Sequence, residues 1–311
     1  MKDEKPLVSI IIATYKRTKR LIRAIESANN QIYQNIEIIV VDDNPPGSVY
    51  RKRVEEIMSD YPKIIYIRNP QNMGGAMARN AGINVANGEF IAFLDDDDTF
   101  AEEKIEKQYR CYLEHEKDNA GMIYCYSRKV DDQNREIGEF INKYKGRPLY
   151  QHMLGCIAGT SLWFCPKKAL VEVGKFEDAP CKQDSILLLK LLVNDYSVYC
   201  VPDKLVNYTE HNEERISGLR VKNIQGIINF RDWCRKYYSK VSDLQKNDVE
   251  YQFSKELIPK LLYNNERKQA FLECYNMFRI APLKIDTWKA TLKLLMPSVY
   301  RAFLNIKQKN N

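Results

Sequence analysis

The run Asp95-Asp96-Asp97-Asp98 follows directly on the apolar stretch Phe90-Ile91-Ala92-Phe93-Leu94. An uninterrupted apolar run of that length reads as a strand buried on both faces. Four adjacent carboxylates at its exit repel one another and call for a counter-charge or full solvation. Hard divalent cations take oxygen ligands of this kind, and magnesium shares itself between a carboxylate or two and a phosphate. The plain alternative is an acidic loop in water before a helix. Thr99 and Glu102 have the spacing of a capping box, and acid is favourable near a helix start. Strand, acidic loop and helix would set the carboxylates at the carboxyl edge of a sheet, where open α/β sheets bind ligands.

Other residues of the first half could serve the same edge. Tyr15 offers an aromatic face and Asp43 an acceptor, the pair needed to stack on a base and take up a ring N–H. Taken singly, they read equally well as a loop aromatic and a turn residue before Pro45. Arg79 has three readings: a contact to base or phosphates, a partner for the acids, or a solvated helix arginine. Further on, Asp184 precedes the apolar run Ile186–Leu189 and is either a helix cap or a general base. His211, one of three histidines, alone reads as a surface residue. The first apolar run enters Ala13-Thr14-Tyr15-Lys16-Arg17 without the glycines that admit a dinucleotide pyrophosphate, so a nicotinamide site is not expected.

Positioning these residues takes alternating strands and helices. Val8–Thr14 reads as a first strand, followed by Leu21, Ile22, Ile25 and Ala28 at helical spacing after Thr18. Ile36–Val41 is a second strand ending in the turn signal Asp42–Gly47. A charged helix from about residue 48 to 59 and a third strand, Ile64–Ile67, come next. Asn72-Met73-Gly74-Gly75 opens an alanine-rich helix through Val85, and Phe90–Leu94 is the fourth strand. A helix is expected from Thr99 and a fifth strand over Met122–Tyr126. The polar segment Asp131–Pro148 is expected to be irregular, and Ser161–Cys165 a short strand. Late strands are expected at Val198–Val201 and Leu205–Tyr208, then helices to the end with a charge-rich linker near Ser239–Glu250. Such alternation implies parallel βαβ units, hence an α/β class.

The 311 residues suffice for one large α/β domain with an appendage. At 44% hydrophobic and 29% charged, the composition is that of a soluble globular protein. The net charge of +7 suits an anionic substrate or membrane surface and is too small to point to nucleic acid. Eight scattered cysteines form no CxxC pair, so free thiols in a reducing compartment are expected and a zinc site is not. Met1–Leu7 lacks the apolar core of a signal peptide, and no apolar run reaches the roughly 18 residues of a membrane span. A cytoplasmic protein is the expectation.

Taken together, Val8–Tyr15, Val40-Val41-Asp42-Asp43-Asn44, Asn72–Asn80 and Gly88–Asp98 resemble, in order and spacing, family 2 glycosyltransferases, similar to those of bacterial surface polysaccharides. The resemblance continues through Gly159-Thr160-Ser161, Val173–Phe176, Gln183-Asp184 and Tyr208–His211, covering about residues 6–218. It implies an inverting enzyme with the GT-A fold: a mostly parallel, Rossmann-like central sheet flanked by helices. Residues 1–218 would form the nucleotide-sugar-binding catalytic domain and 219–311 a helical C-terminal extension. Carried over by position, the resemblance puts Ala13, Tyr15, Asp43 and Arg79 at the base, most often uracil. It puts Asp96 near the ribose, Asp95 among the nucleotide-sugar contacts, and Asp97 on a magnesium or manganese ion that bridges the diphosphate. His211 would approach metal or diphosphate from the far side, and Asp184 would be the general base. The family usually shows Glu-Asp where this chain has Gln183-Asp184, so the aspartate is kept. Which of Asp95, Asp96 and Asp97 contacts the ion stays open.

The implied partners are a nucleotide-sugar donor and a saccharide or lipid-linked acceptor. Residues Trp288, Leu292, Leu295, Val299, Phe303 and Ile306 recur at helical spacing among lysines. That tail reads as a basic amphipathic surface for the inner face of a membrane, or as helices packed on the domain or on a second copy in a homodimer. One rival enzyme class fits Asp95-x-Asp97-x-Thr99: haloacid-dehalogenase-like phosphatases place their nucleophile in such a motif, but on their first strand, and with a second acidic pair. A nucleotidyltransferase would need a glycine- and basic-rich loop after the first strand. A non-catalytic nucleotide-sugar binder is the remaining alternative.

Overall fold

The computed structural model describes residues 5–210 and 221–296. They fall into two units. The first comprises residues 1–149, 156–178 and 187–211; the second comprises 150–155, 179–186 and 212–311.

In the first unit the elements run β1 (Val8–Thr14), α1 (Thr18–Asn29), β2 (Ile36–Asp42), α2 (Val49–Ser59), β3 (Ile65–Arg68), α3 (Gly74–Val85) and β4 (Phe90–Asp95). These match the expected alternation closely. β5 (Thr99–Phe100), α4 (Lys104–His115), β6 (Ala120–Val130) and β7 (Glu136–Phe140) follow. β8 (Phe164–Pro166), α6 (Lys167–Glu172) and β9 (Ser197–Thr209) complete the unit, whereas α5 (Leu149–Leu154) falls in the second unit but for its first residue and α7 (Gln183–Val193) is divided, residues 183–186 belonging to the second unit. One sheet takes all nine strands in the order β3-β2-β1-β4-β8-β6-β9-β5, with β7 paired to β6. The β3-β2-β1-β4 half is parallel as expected, because each connection is a crossover helix. Beyond β4 the sheet is mixed, with β8 antiparallel to both β4 and β6, and β6 parallel to β9.

Registers align the strand exits. Ala13 of β1 pairs with Asp95 of β4, and Thr14 pairs with Asp42 of β2. β1 lies where the strand order reverses, the point at which open α/β sheets leave a ligand crevice. Ile10, Ile12, Phe93 and Leu94 are buried in the core of this half.

Several sequence expectations need correction. No helix starts at Thr99. Thr99 and Phe100 pair antiparallel with Asn207 and Val206, which consumes the backbone groups a capping box would use, and α4 begins at Lys104. The polar segment after β6 is a hairpin. Asp131 Oδ1 accepts from the N–H groups of Gln133 and Arg135 and turns the chain into β7. The two late strands are one, β9, whose register slips between Val201 and Lys204 opposite Cys125 and Tyr126. Pro202 sits in that slip, where a missing N–H costs no ladder bond.

The second unit holds the α8 (Val221–Lys236), α9 (Asp243–Tyr263), α10 (Arg267–Ile280) and α11 (Ile285–Leu295) helices. The expected charge-rich linker is largely the first turns of α9. Ser242 and Gln245 form a reciprocal capping box there, so a polar start is what the helix requires. Within this unit Arg231 is bonded to both Glu250 and Glu273. Among the described residues no helix is long and apolar enough to cross a membrane. Val299, Phe303 and Ile306 lie outside the described residues.

Candidate active site

The acids at the exit of β4 do not form one uniform cluster. Asp95 is partly exposed, and its Oδ1 accepts from Arg79 Nη2 of α3 at 2.5 Å. Thr160 Oγ1 lies 3.4 Å from the same oxygen. Asp96 is buried and turned toward β1, where its Oδ2 accepts from Thr14 Oγ1 at 2.7 Å and from the Tyr15 N–H at 3.2 Å. Asp97 faces the loop after β1, and Arg17 Nη1 donates to its Oδ2 at 2.5 Å. Asp98 is buried on the other side, accepting from Ser161 Oγ at 2.7 Å and the Thr209 N–H at 3.2 Å. Two of the four therefore brace the loops around the edge, and two face outward.

Like charge and burial show in the protonation of the inner pair. Burial and the neighbouring Asp97 push Asp96 up to about 7, against the opposing pull of Arg17 and Thr14. Burial together with Asp97 and Asp95 holds Asp98 well above the usual carboxylate range. The outer pair is met by guanidiniums, Asp97 by Arg17 and Asp95 by Arg79. Carboxylate oxygens of Asp95, Asp97 and Asp98 lie within 4.8 Å of one another. Hard oxygen donors at that spacing fit a divalent cation such as magnesium or manganese.

The exits of β1 and β2 complete the edge. Tyr15 is 38% exposed, with Lys16 Nζ 4.9 Å from its ring centroid. Lys16 takes a φ of 64°, a strained conformation for a side-chain-bearing residue, and its N–H is held by Asn44 Oδ1. Asp42 and Asp43 separate by role. Asp42 is fully buried, bonded to the Tyr66 hydroxyl and ion-paired with Arg51. Asp43 Oδ1 accepts from Asn69 Nδ2 and the Met73 N–H, and its Oδ2 from the Gly74 N–H. Gly74 has a φ of +81°, which its lack of a Cβ permits and which presents that N–H at the start of α3. A carboxylate has about four lone-pair sites, so Asp43 keeps an acceptor position on Oδ2 after these three bonds.

The structure thus brings Ala13, Tyr15, Asp43, Arg79, Asp95, Asp96 and Asp97 to adjoining strand exits of one sheet. Asp184 belongs to the second unit. It is the second residue of α7, half-buried, with its Oδ1 accepting from the Ser185 N–H at 2.7 Å. It therefore stands within the first turn rather than at the cap. His211 lies outside the described residues. Sequence reasoning missed Arg17, Thr14, Ser161 and Thr209. Arg17 had a readable signal, a cation three residues past the end of a buried strand; Ser161 and Thr209 lie in segments that carry the family resemblance, but no local pattern showed that they meet Asp98.

The model of the family described as "Glycosyl transferase family 2" matches residues 9–172. The uncharacterized glycosyltransferase MJ1057 of Methanocaldococcus jannaschii is 28% identical over 218 residues, covering 68% of this chain and 73% of that protein. WfaP of Escherichia coli, named as a UDP-Glc:alpha-D-GlcNAc-diphosphoundecaprenol beta-1,3-glucosyltransferase, is 40% identical over 121 residues, 39% of this chain and 45% of WfaP. Among solved structures, S. aureus TarS 1–349 in complex with UDP-GlcNAc superposes with a TM-score of 0.59 at 16% identity, covering 93% of this chain and 81% of TarS. That likeness bears on fold alone and bears out the GT-A expectation. The phosphatase reading falls away, since those enzymes carry the nucleophile on their first strand, whereas Asp95 ends the fourth strand of a domain matched by the glycosyltransferase family model. The chain belongs to glycosyl transferase family 2 and is a glycosyltransferase.

Proposed function

We propose that the protein moves a sugar from a nucleotide-diphosphate donor, a UDP-sugar in the first instance, to a hydroxyl of a saccharide or lipid-linked saccharide acceptor. The transfer inverts the anomeric centre and serves cell-surface polysaccharide synthesis at the cytoplasmic side of the membrane. The observation that carries this reading is the convergence of Asp95, Asp97 and Asp98 oxygens beside the β1 exit, in a chain of this family. UDP is favoured because WfaP is named for a UDP-glucose donor and TarS is solved with UDP-GlcNAc.

In the proposed reaction Tyr15 stacks on the base, and Asp43 accepts a ring N–H on its remaining lone pair. Arg79 and Asp95 form a paired wall beside the nucleotide, and Asp96 fixes the β1 loop that borders the ribose. Asp97, with His211, would hold the magnesium or manganese ion. Such an ion supplies positive charge where the leaving diphosphate develops negative charge. Asp184 takes the proton from the acceptor hydroxyl, whose oxygen attacks the anomeric carbon opposite the departing nucleoside diphosphate. One in-line displacement inverts the centre.

Release of nucleotide from a panel of UDP-, GDP- and dTDP-sugars, with magnesium, manganese or chelator, tests the reading. Metal-dependent release from one class of donor is expected. No turnover of any donor would favour a non-catalytic nucleotide-sugar binder.

A further inference from the structure

Among the described residues, α10 and α11 of the second unit carry an exposed apolar face. On α10, Ala270, Cys274 and Met277 are buried while Phe271 and Tyr275 stand exposed. On α11, Thr287 and Ala290 are buried while Trp288, Leu292 and Leu295 stand exposed, Trp288 to 53%. Phe278 and Trp288 meet edge to face, with centroids 5.1 Å apart. That contact joins the row Phe271, Tyr275, Phe278 to the row Trp288, Leu292, Leu295, each at i, i+4, i+7 spacing. An exposed patch of aromatic and aliphatic side chains this extended marks an interaction surface.

Its charge says what covers it. Residues 267–296 carry six basic side chains against two acidic ones, Glu273 and Asp286. Both acids are committed to cations elsewhere in the unit, Glu273 to Arg231 at 2.7 Å and Asp286 to Lys255 at 2.5 Å. Lys268, Arg279 and Lys289 form no salt bridge among the described residues. Residues 297–311 add Arg301, Lys307 and Lys309 and no acid. A second copy docked face to face would set these cations against each other, which is unfavourable. An apolar stripe flanked by unpaired cations matches a surface that is apolar below and anionic above. Helices of 14 and 11 residues lie in such an interface rather than cross it.

We propose that this α10–α11 face is where the protein lies on an anionic phospholipid bilayer. Trp288, Leu292 and Leu295 enter the headgroup boundary, and Lys289 and Arg279 extend to the lipid phosphates.

Flotation of the full chain with phosphatidylcholine vesicles, and with equimolar phosphatidylcholine and phosphatidylglycerol vesicles, tests this at low and high salt. Binding is expected to the mixed vesicles and to weaken with salt. Neutralising the pair (Lys289→Gln with Arg279→Gln) should lower it about 30-fold, from about 1 kcal/mol per cation. Trp288→Ser with Leu292→Ser should lower it at least about 100-fold. Circular dichroism checks that both exposed-site variants fold, and the glutamine pair carries the test if the serine pair does not. Absence of flotation, or equal binding to both vesicle types, overturns the proposal. So does a dimer in size-exclusion chromatography that the serine pair converts to monomer without any lipid binding.

Discussion

Arg17 Nη1 donates to Asp97 Oδ2 at 2.5 Å and reaches Asp96 Oδ1 at 3.3 Å, so a cation from the loop after β1 already sits among the strand-end acids. Removing it leaves two adjacent carboxylates in mutual repulsion, and breaking a largely buried pair is costly. Arg17→Ala should therefore lower the melting temperature by several degrees in chelator, at roughly 2–4 °C per kcal/mol for a unit of this size. Manganese should then raise the variant's melting temperature more than the wild type's, because added positive charge has more repulsion to relieve. Equal manganese shifts in differential scanning fluorimetry would mean that Arg17 does not stand in the cation's place.

Asp97 and Asp184 are assigned separate tasks, one on the donor side and one on the acceptor, and substitution should split them. Asp97→Asn should abolish transfer and weaken metal-dependent UDP binding in titration calorimetry. Asp184→Asn should reduce turnover by at least about a thousandfold, a general-base loss, with UDP binding near wild type. Full activity in either variant would sink that assignment.

Much of the first unit was legible because each signal was local. Parallel strands buried on both faces read as continuous apolar runs, and β1 to β4 were found on that basis. The start of α4 was misread because Thr99 pairs with Asn207, more than a hundred residues away, and no local pattern carries that information. The same holds within the acid run. Sequence could name Asp95–Asp98 as a group. It could not say that Asp96 and Asp98 are turned inward to Thr14 and Ser161, leaving Asp95 and Asp97 outward. Of the three readings of Arg79, sequence could not show the pairing with the acids that the 2.5 Å bond to Asp95 makes.

Gly226 on α8 lies directly against Cys181. A Cβ there would land on the Cys181 sulfur and come within 3.0 Å and 3.1 Å of its carbonyl oxygen and amide nitrogen. The sulfur can rotate, but the backbone atoms cannot. Gly226→Ala should therefore destabilise by about 1–3 kcal/mol, despite alanine's better helix propensity. Thermal denaturation measures the loss. Combining it with Cys181→Ala should recover part but not all of it, and full recovery would assign the clash to the sulfur alone.

Lys104, the first residue of α4, is completely buried among Phe100, Trp163, Cys125 and Cys165. Its Nζ donates to the Trp163 carbonyl at 3.1 Å and lies 4.0 Å from the Phe100 ring centroid. Burial holds its pKa down to about 7, against the small opposing influence of the two thiols. The unfolded chain, with an ordinary lysine near 10.5, therefore binds more protons than the folded one between about pH 7 and 10.5. Over that window this group makes stability rise with pH, and near pH 7 its burial costs on the order of 4 kcal/mol. Lys104→Met keeps the packing and removes the proton, at the expense of the Trp163 carbonyl's partner. The variant should be more stable than wild type at pH 7 by roughly 1–3 kcal/mol once that lost bond is counted. Its advantage should shrink steadily toward pH 10. Chemical denaturation of both proteins at pH 7, 8, 9 and 10 gives the difference at each point, with contributions common to both cancelling. A constant or growing advantage would mean that Lys104 stays charged in the folded protein.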